Sequence, residues 1–258
     1  MAHTHGSVKR TTAPLRNTGL MMDLVERLVN RPPNVPGIGI FHGFSGMGKT
    51  VSATLAANVH RAFFLQITPD FTRKYFYQKM LHAVGKPNAK GSIPELADQL
   101  TATLGDLDDP VLFLDDAHYI FVRHYRAKEQ TFSHFQDVIR TLHDVGGASI
   151  VLIGEEDLPQ IVERHESIHN RVAVWQEAMF ADMSDARHMA DMLCPDTMIG
   201  DDLLQEILTR SGRLLPRIIS NLYLAADAAS EVGAMVMDLE AWGERSYFTG
   251  KTRRRTAA

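Results

Sequence analysis

A parallel α/β sheet of about five strands, followed by a helical C-terminal part, is the fold the sequence predicts, and three observations predict it. Short apolar runs of strand character alternate with helix-like segments as far as Trp175. One strand–helix junction, Gly43-Phe44-Ser45-Gly46-Met47-Gly48-Lys49-Thr50, fits the pattern G-x-x-x-x-G-K-[ST]. From about Met183 the strand-like runs stop and only helical patterns remain.

Taken in order, Met1 to Arg16 is polar, with Lys9, Arg10 and Arg16 scattered through it, and reads as a flexible arm. His3 and His5 within it read as incidental, not as a metal site. Thr18–Asn30 carries Leu20, Met21, Leu24 and Leu28 at helical spacing, and the proline-rich stretch from Arg31 to Pro36 breaks it. This helix reads either as a cover for a nucleotide base or as a cap on the sheet. Gly37–His42 is the first strand, and Val51–Val59 is the helix beyond the loop. Ala62–Ile67 is a second strand. Pro69–Val84 is a helix in which Arg73, Lys74 and Lys79 mix with Phe71, Tyr75, Phe76 and Tyr77. Ile93–Leu104 is a helix whose start has Ser92 followed three residues on by Glu95, a capping box.

Val111-Leu112-Phe113-Leu114-Asp115-Asp116 is an apolar run ending in acids, the pattern of a buried parallel strand with carboxylates at its C-terminal edge. A basic, aromatic stretch follows from Ala117 to Lys128, then an amphipathic helix over Thr131–Val145. Ala148–Gly154 is the fourth strand, Leu158–His165 a short helix and Val172–Trp175 the fifth strand. Helices are predicted over Ser184–Leu193, Asp201–Arg210, Leu215–Val232 and Leu239–Glu244, and Lys251–Arg255 is a basic tail. The expected organisation is an arm over residues 1–17, a nucleotide-binding α/β domain over 18–182, a small all-helical lid over 183–250 and the tail over 251–258.

Composition narrows the class. The formal net charge of -4 over 258 residues argues against a simple basic coat for nucleic acid, so any such binding must come from local patches. The single cysteine, Cys194, cannot form an intrachain disulfide, which suits a reducing cytoplasm. No apolar run reaches transmembrane length and no signal peptide is visible, so a cytoplasmic protein without a membrane partner is expected.

The glycine-rich loop has a specific chemistry. Its glycines let the backbone fold tightly and aim N–H groups inward, and the helix that follows adds partial positive charge. Gly43, Ser45, Gly46, Met47, Gly48, Lys49, Thr50 and Val51 are therefore expected to hold the phosphates of ATP, with Lys49 on the β- and γ-phosphates. The Thr50 hydroxyl and Asp115 are expected to hold Mg²⁺, and Asp116 to orient or activate the attacking water. Taken without the loop, the Asp115–Asp116 pair also reads as a helix cap or loop acid.

Loop, Asp115-Asp116 strand, the strand ending in Gly154, Arg171, and Gly212-Arg213-Leu214-Leu215-Pro216-Arg217 in a helical C-terminal part together resemble an AAA+ ATPase over roughly residues 18–240. The resemblance implies an arginine finger at Arg171, reaching a neighbouring subunit's nucleotide, and a second sensor at Arg217 on the lid. A fixed guanidinium can stabilise charge on a transferred phosphoryl group, although each arginine also reads as a surface salt bridge. Two departures stand out. The family usually ends the third strand in Asp-Glu, and Asp116 is one methylene shorter than glutamate, so slow turnover is expected. The family's first sensor should fall near Gly154-Glu155, and neither residue fits it.

The compact size, Asp115-Asp116-Ala117-His118 and the turn Ile153-Gly154-Glu155-Glu156-Asp157-Leu158 are most similar to the transposition ATPases of the phage Mu B type. That resemblance implies ATP-dependent assembly of a homo-oligomer on double-stranded DNA, as a ring or filament, with a transposase as partner. The short stretch ahead of the first helix leads us to expect no additional N-terminal DNA-binding domain. Candidate DNA contacts are Thr72, Arg73, Lys74 and Lys79 after the second strand and Arg123, Arg126 and Lys128 after the third. Such residues give salt-sensitive, sequence-indifferent binding, and each cluster reads equally as a solvated helix face. The alternative is an AAA+ ATPase that acts on a protein client, as a helicase or clamp loader or a remodeller. An aromatic pore loop would favour a remodeller, and the corresponding loops here carry Arg and Lys.

Overall fold

A computed structural model of the chain describes residues 15–32, 34–121 and 135–250. These fall into two compact units, one of Asn17–Met179 and one that joins Phe180 onward to the segment ending at Arg16.

In the first unit, α1 (Arg16–Val29) precedes β1 (Ile38–His42), and α2 (Lys49–Val59) follows the glycine-rich loop. Then come β2 (Phe63–Gln66), α3 (Arg73–Ala83), α4 (Ile93–Gly105), β3 (Val111–Asp115), α5 (His118–Phe121) and α6 (Phe135–Asp144). β4 (Ser149–Gly154), α7 (Leu158–Glu163), α8 (Glu166–His169) and β5 (Val172–Glu177) complete it. The five strands are all parallel, in the order β2-β3-β4-β1-β5. The three central strands are the most apolar, and β3 and β4 are buried along their whole length because helices cover both faces. β5, at one edge, alternates between half-buried and exposed residues, as an edge strand does. Gly39 in β1 is a packing requirement: a Cβ there would lie 2.8 Å from Leu24 Cδ2, so only glycine lets α1 approach this closely.

The second unit holds α9 (Met183–Leu193), α10 (Asp201–Arg210), α11 (Leu215–Val232) and α12 (Leu239–Trp242) around a core that includes Leu203, Leu204, Ile207, Ile218, Leu222 and Trp242. Asp182 caps α9 through a reciprocal box with Asp185, whose carboxylate also accepts from the Arg16 amide at 2.8 Å.

Three expectations are corrected. The C-terminal part is not purely helical: β6 (Met198–Ile199) and β7 (Val236–Met237) form a two-stranded parallel pair. Two-residue strands are too short to carry a period. The arm ends sooner than residue 17, because α1 already contains Arg16 and Asn17, and Asn17 is buried. The helix expected from Pro69 starts at Arg73, because the Thr72 hydroxyl accepts from the Tyr75 amide and caps it there. No helix among the described residues is long and apolar enough to cross a membrane.

Candidate functional site

Because all five strands are parallel, their C-terminal ends share one edge of the sheet. His42, Gln66, Asp115 and Gly154 end β1, β2, β3 and β4 on that edge, and the glycine-rich loop leaves it directly. Gly46 and Gly48 have φ of 86° and 82°, a left-handed conformation that side chains resist. Gly48 is also the N-cap of α2, so the loop feeds straight into a helix start.

Lys49 Nζ donates to the carbonyls of Gly43 at 2.6 Å and Phe44 at 2.9 Å, which keeps its ammonium over the loop. Burial lowers its pKa, while the charges of Glu155, Asp115, Glu156 and Asp116 pull it back up. Thr50 Oγ1 donates to Asp115 Oδ2 at 2.7 Å. Asp115 is 2% exposed, and burial raises its pKa against the hydrogen bonds from Thr50 and the Asp116 amide. A buried carboxylate beside a hydroxyl, next to a loop that presents backbone donors and an ammonium, is a donor set that suits a hard cation and a polyphosphate together. The residues thus fit Mg²⁺ and ATP. Met47 is buried under the loop, whereas Ser45 and Val51 are exposed on it.

Asp116 has φ of 54°, uncommon for a residue with a side chain. Gln66 Nε2 donates to its Oδ2 at 2.9 Å and so fixes its direction from the end of β2. Such backbone strain concentrates at functional positions.

Some site residues escaped the sequence reading. Asn17 Nδ2 donates to the carbonyls of Met47 and Met179, both at 2.8 Å, and its Oδ1 accepts from the Met179 amide. One buried side chain thus ties the loop to the chain leaving β5. Gln66 was missed as well. Neither has a local signal, since an Asn in a helix or a Gln in a strand is ordinary. His42, just before the loop, has a buried Nδ1 with no partner among the described residues, and burial lowers its pKa. Glu155, where a first sensor was sought, acts on Lys49 through its charge.

Arg171 is at the other edge. Its carbonyl accepts from the Ile38 amide, at the start of β1. The phosphate loop begins beyond the end of β1, roughly 15 Å away at the rise of a parallel strand. Arg171 therefore does not join the phosphate loop of its own chain. In the second unit, Arg217 lies in the first turn of α11, half-buried, and its guanidinium makes no hydrogen bond or ion pair among the described residues. Its guanidinium packs so closely on Gly250 that a Cβ there would lie 2.8 Å from Arg217 Nε.

On α3, Lys74, Tyr75 and Lys79 are exposed, and Lys79 Nζ sits 5.2 Å from the Tyr75 ring centroid. Thr72 is exposed and Arg73 half-buried. Arg123, Arg126, Lys128 and the tail from Lys251 lie outside the described residues.

This sheet order, with a lysine-bearing loop after β1 and two aspartates closing β3, defines a P-loop ATPase. The model of a family described as an AAA domain matches residues 34–162, half of the chain, and the chain belongs to that family. No curated protein sequence matches it significantly. Among solved structures it is similar to Cdc6p from Pyrobaculum aerophilum, with TM-score 0.59 and 18% identity over 91% of this chain and 66% of that one. It is also similar to the Aeropyrum pernix Orc1 protein in complex with DNA, with TM-score 0.58 and 15% identity over 87% of this chain and 62% of that one. The RuvB Holliday junction branch migration motor of Thermotoga maritima gives TM-score 0.55 and 16% identity, over 89% and 67%. At these identities the likeness carries the fold. The chain spans 66% and 62% of the length of the first two of these structures.

Proposed function

We propose that this chain hydrolyses ATP and uses the nucleotide to switch a sequence-indifferent grip on duplex DNA, assembling on target DNA and delivering it to a transposase. The observation that carries the reading is the shared sheet edge. The phosphate loop leaves the C-terminal end of β1 and the segment leading to the exposed basic face of α3 leaves that of β2, on the same edge of the sheet with β3 and β4 between them. The hydrogen bond from Gln66 to Asp116 joins the end of β2 to the hydrolytic carboxylate, seven residues before α3 starts at Arg73. Relatives of the fold include a protein whose structure contains DNA and a branch migration motor, which agrees with a DNA-directed role.

In this mechanism residues 18–182 bind the nucleotide and 183–250 act as the lid. The loop amides and Lys49 would hold the phosphates, and Thr50 and Asp115 would hold Mg²⁺. Bound Mg²⁺ supplies charge neutralisation on the β- and γ-phosphates. Asp116, aimed by Gln66, orients a water and accepts its proton. Arg217, from the lid, and Arg171, from a neighbouring copy, supply positive charge to the terminal phosphate. Lys74, Lys79 and Arg73 engage DNA phosphates with Thr72 beside them, and Arg123, Arg126 and Lys128, outside the described residues, are further candidate DNA contacts.

Duplex-DNA binding with ATP, with ADP and without nucleotide, for the native protein and Lys49→Ala, tests this reading. ATP should create tight binding to any sequence, and the variant should lack it. Nucleotide binding without DNA binding in any state would exclude the DNA role and turn attention to a protein client.

A further inference from the structure

Arg171 is held by three hydrogen bonds. Its Nε donates to Asp144 Oδ1 at 2.7 Å, one terminal nitrogen donates to Asp144 Oδ2 at 2.5 Å, and the other to the Ser167 carbonyl at 2.6 Å. A guanidinium has five N–H donors in a planar fork. Two of the five therefore carry no hydrogen bond among the described residues. The Arg171 side chain is 28% exposed and borders an open cleft of ≈ 760 Å³ shared with Arg31, Asn34, Asp109 and Asn170.

Asp144 is itself fixed from behind. His143 Nε2 accepts from the Gly37 amide at 2.9 Å, so the ring proton must be on Nδ1. Nδ1 lies 2.8 Å from Asp144 Oδ1 and donates to it. A backbone amide ahead of β1 thus sets a tautomer, the imidazole orients a carboxylate, and the carboxylate orients the guanidinium. The hydrogen bond from Arg171, with help from that of His143, holds the Asp144 carboxyl down at about 2, so it is ionised throughout the working pH range. An exposed ion pair that existed only for stability would need none of this support.

We propose that Asp144, anchored by His143, is a positioning residue that presents the two remaining Arg171 donors to the nucleotide phosphate of a second copy of this chain. The proposal rests on the reading of Arg171 as a finger used between copies. Two spare N–H groups match the bidentate recognition of phosphate. The sheet height separating Arg171 from its own loop leaves a neighbour's nucleotide as the target. Holding the guanidinium in advance removes the rotamer entropy that a free arginine would lose on engagement.

The test uses steady-state ATP turnover of the full chain with duplex DNA, at a concentration where the native protein is assembled. Arg171→Ala should lower kcat roughly 1,000-fold, the scale of an arginine finger. Asp144→Ala should lower kcat about 10- to 100-fold with KM for ATP unchanged, the scale of a misplaced group. Asp144→Asn keeps the shape of the side chain and should show a smaller loss in the same direction. Mixing supplies the readout that fold damage would not give. Asp116→Asn subunits keep ATP binding but hardly turn it over, and they retain intact Asp144 and Arg171, so adding them should restore turnover at Asp144→Ala sites. Turnover of both Asp144 variants at or above the native rate, or a loss that mixing does not restore, overturns the proposal. Native turnover in Arg171→Ala would instead overturn the finger reading itself, and the proposal with it.

Discussion

Replacing Asn17 by alanine should loosen the phosphate loop without touching it. The side chain is 6% exposed and satisfies three backbone groups at once: the Met47 carbonyl, the Met179 carbonyl and the Met179 amide. Met47 is 2% exposed, so its carbonyl would lose its Asn17 partner with little access to water, at about 1–3 kcal/mol. Met179 is 38% exposed, so its two groups can turn to water and should cost about 0.5–1 kcal/mol together. The sum is about 1.5–4 kcal/mol. Urea denaturation measures it. The two tryptophans fall one in each unit, so a Trp242→Phe background leaves Trp175 to report on the unit that contains Asn17. ATP affinity should weaken about 5- to 10-fold, because binding must now order the loop. Asn17→Asp separates hydrogen bonding from volume. It can still accept from the Met179 amide but cannot donate to either carbonyl, so it should destabilise at least as much. A loss below about 0.5 kcal/mol with unchanged ATP affinity would refute the idea that Asn17 braces the loop.

Other predictions follow from single features. Asp116→Asn should retain ATP binding and lose turnover about 100- to 10,000-fold, measured as phosphate release, since the amide cannot accept the water's proton. Cys194 is 5% exposed with its pKa raised from 9.0 to about 11 by burial. In that window the unfolded thiol has ionised and the native one has not, so the native state binds more protons. Stability should therefore be complete below pH 9 and fall by on the order of 2–3 kcal/mol as pH rises towards 11, an effect absent in Cys194→Ala. Replacing Lys74 and Lys79 together by glutamine should reduce the slope of log affinity for duplex DNA against log salt by about 2, as expected for two lost phosphate contacts.

Much of this architecture was legible because the relevant constraints are local. The phosphate loop must spell its glycines, Lys49 and Thr50 in a row to wrap a phosphate, and β3 and β4 must be apolar throughout because both of their faces are covered. What escaped depends on residues distant in sequence. Asn17 and Met179 are 162 positions apart, Gln66 and Asp116 are 50 apart, and Asp144 and Arg171 are 27 apart. None of these pairs alters the periodicity around it. Arg171 was legible as a candidate only through its place before the fifth strand. Its partner Asp144, at the end of a helix, looks like any solvated acid. The pair β6 and β7 was hidden because Met198 and Val236 meet only after α10 and α11 have packed. Thr72, expected from the sequence as a DNA contact, is the cap of α3, a role that its position before a helical run could have signalled.

The central claim is a nucleotide switch that works between copies on DNA. Phosphate release per subunit, measured as protein concentration rises with and without duplex DNA, tests it most directly. The account predicts a low rate per subunit when dilute, a steep rise with concentration as Arg171 meets a neighbour's nucleotide, and a shift of that rise to lower concentration when DNA is added. A rate per subunit that is independent of both concentration and DNA would contradict it.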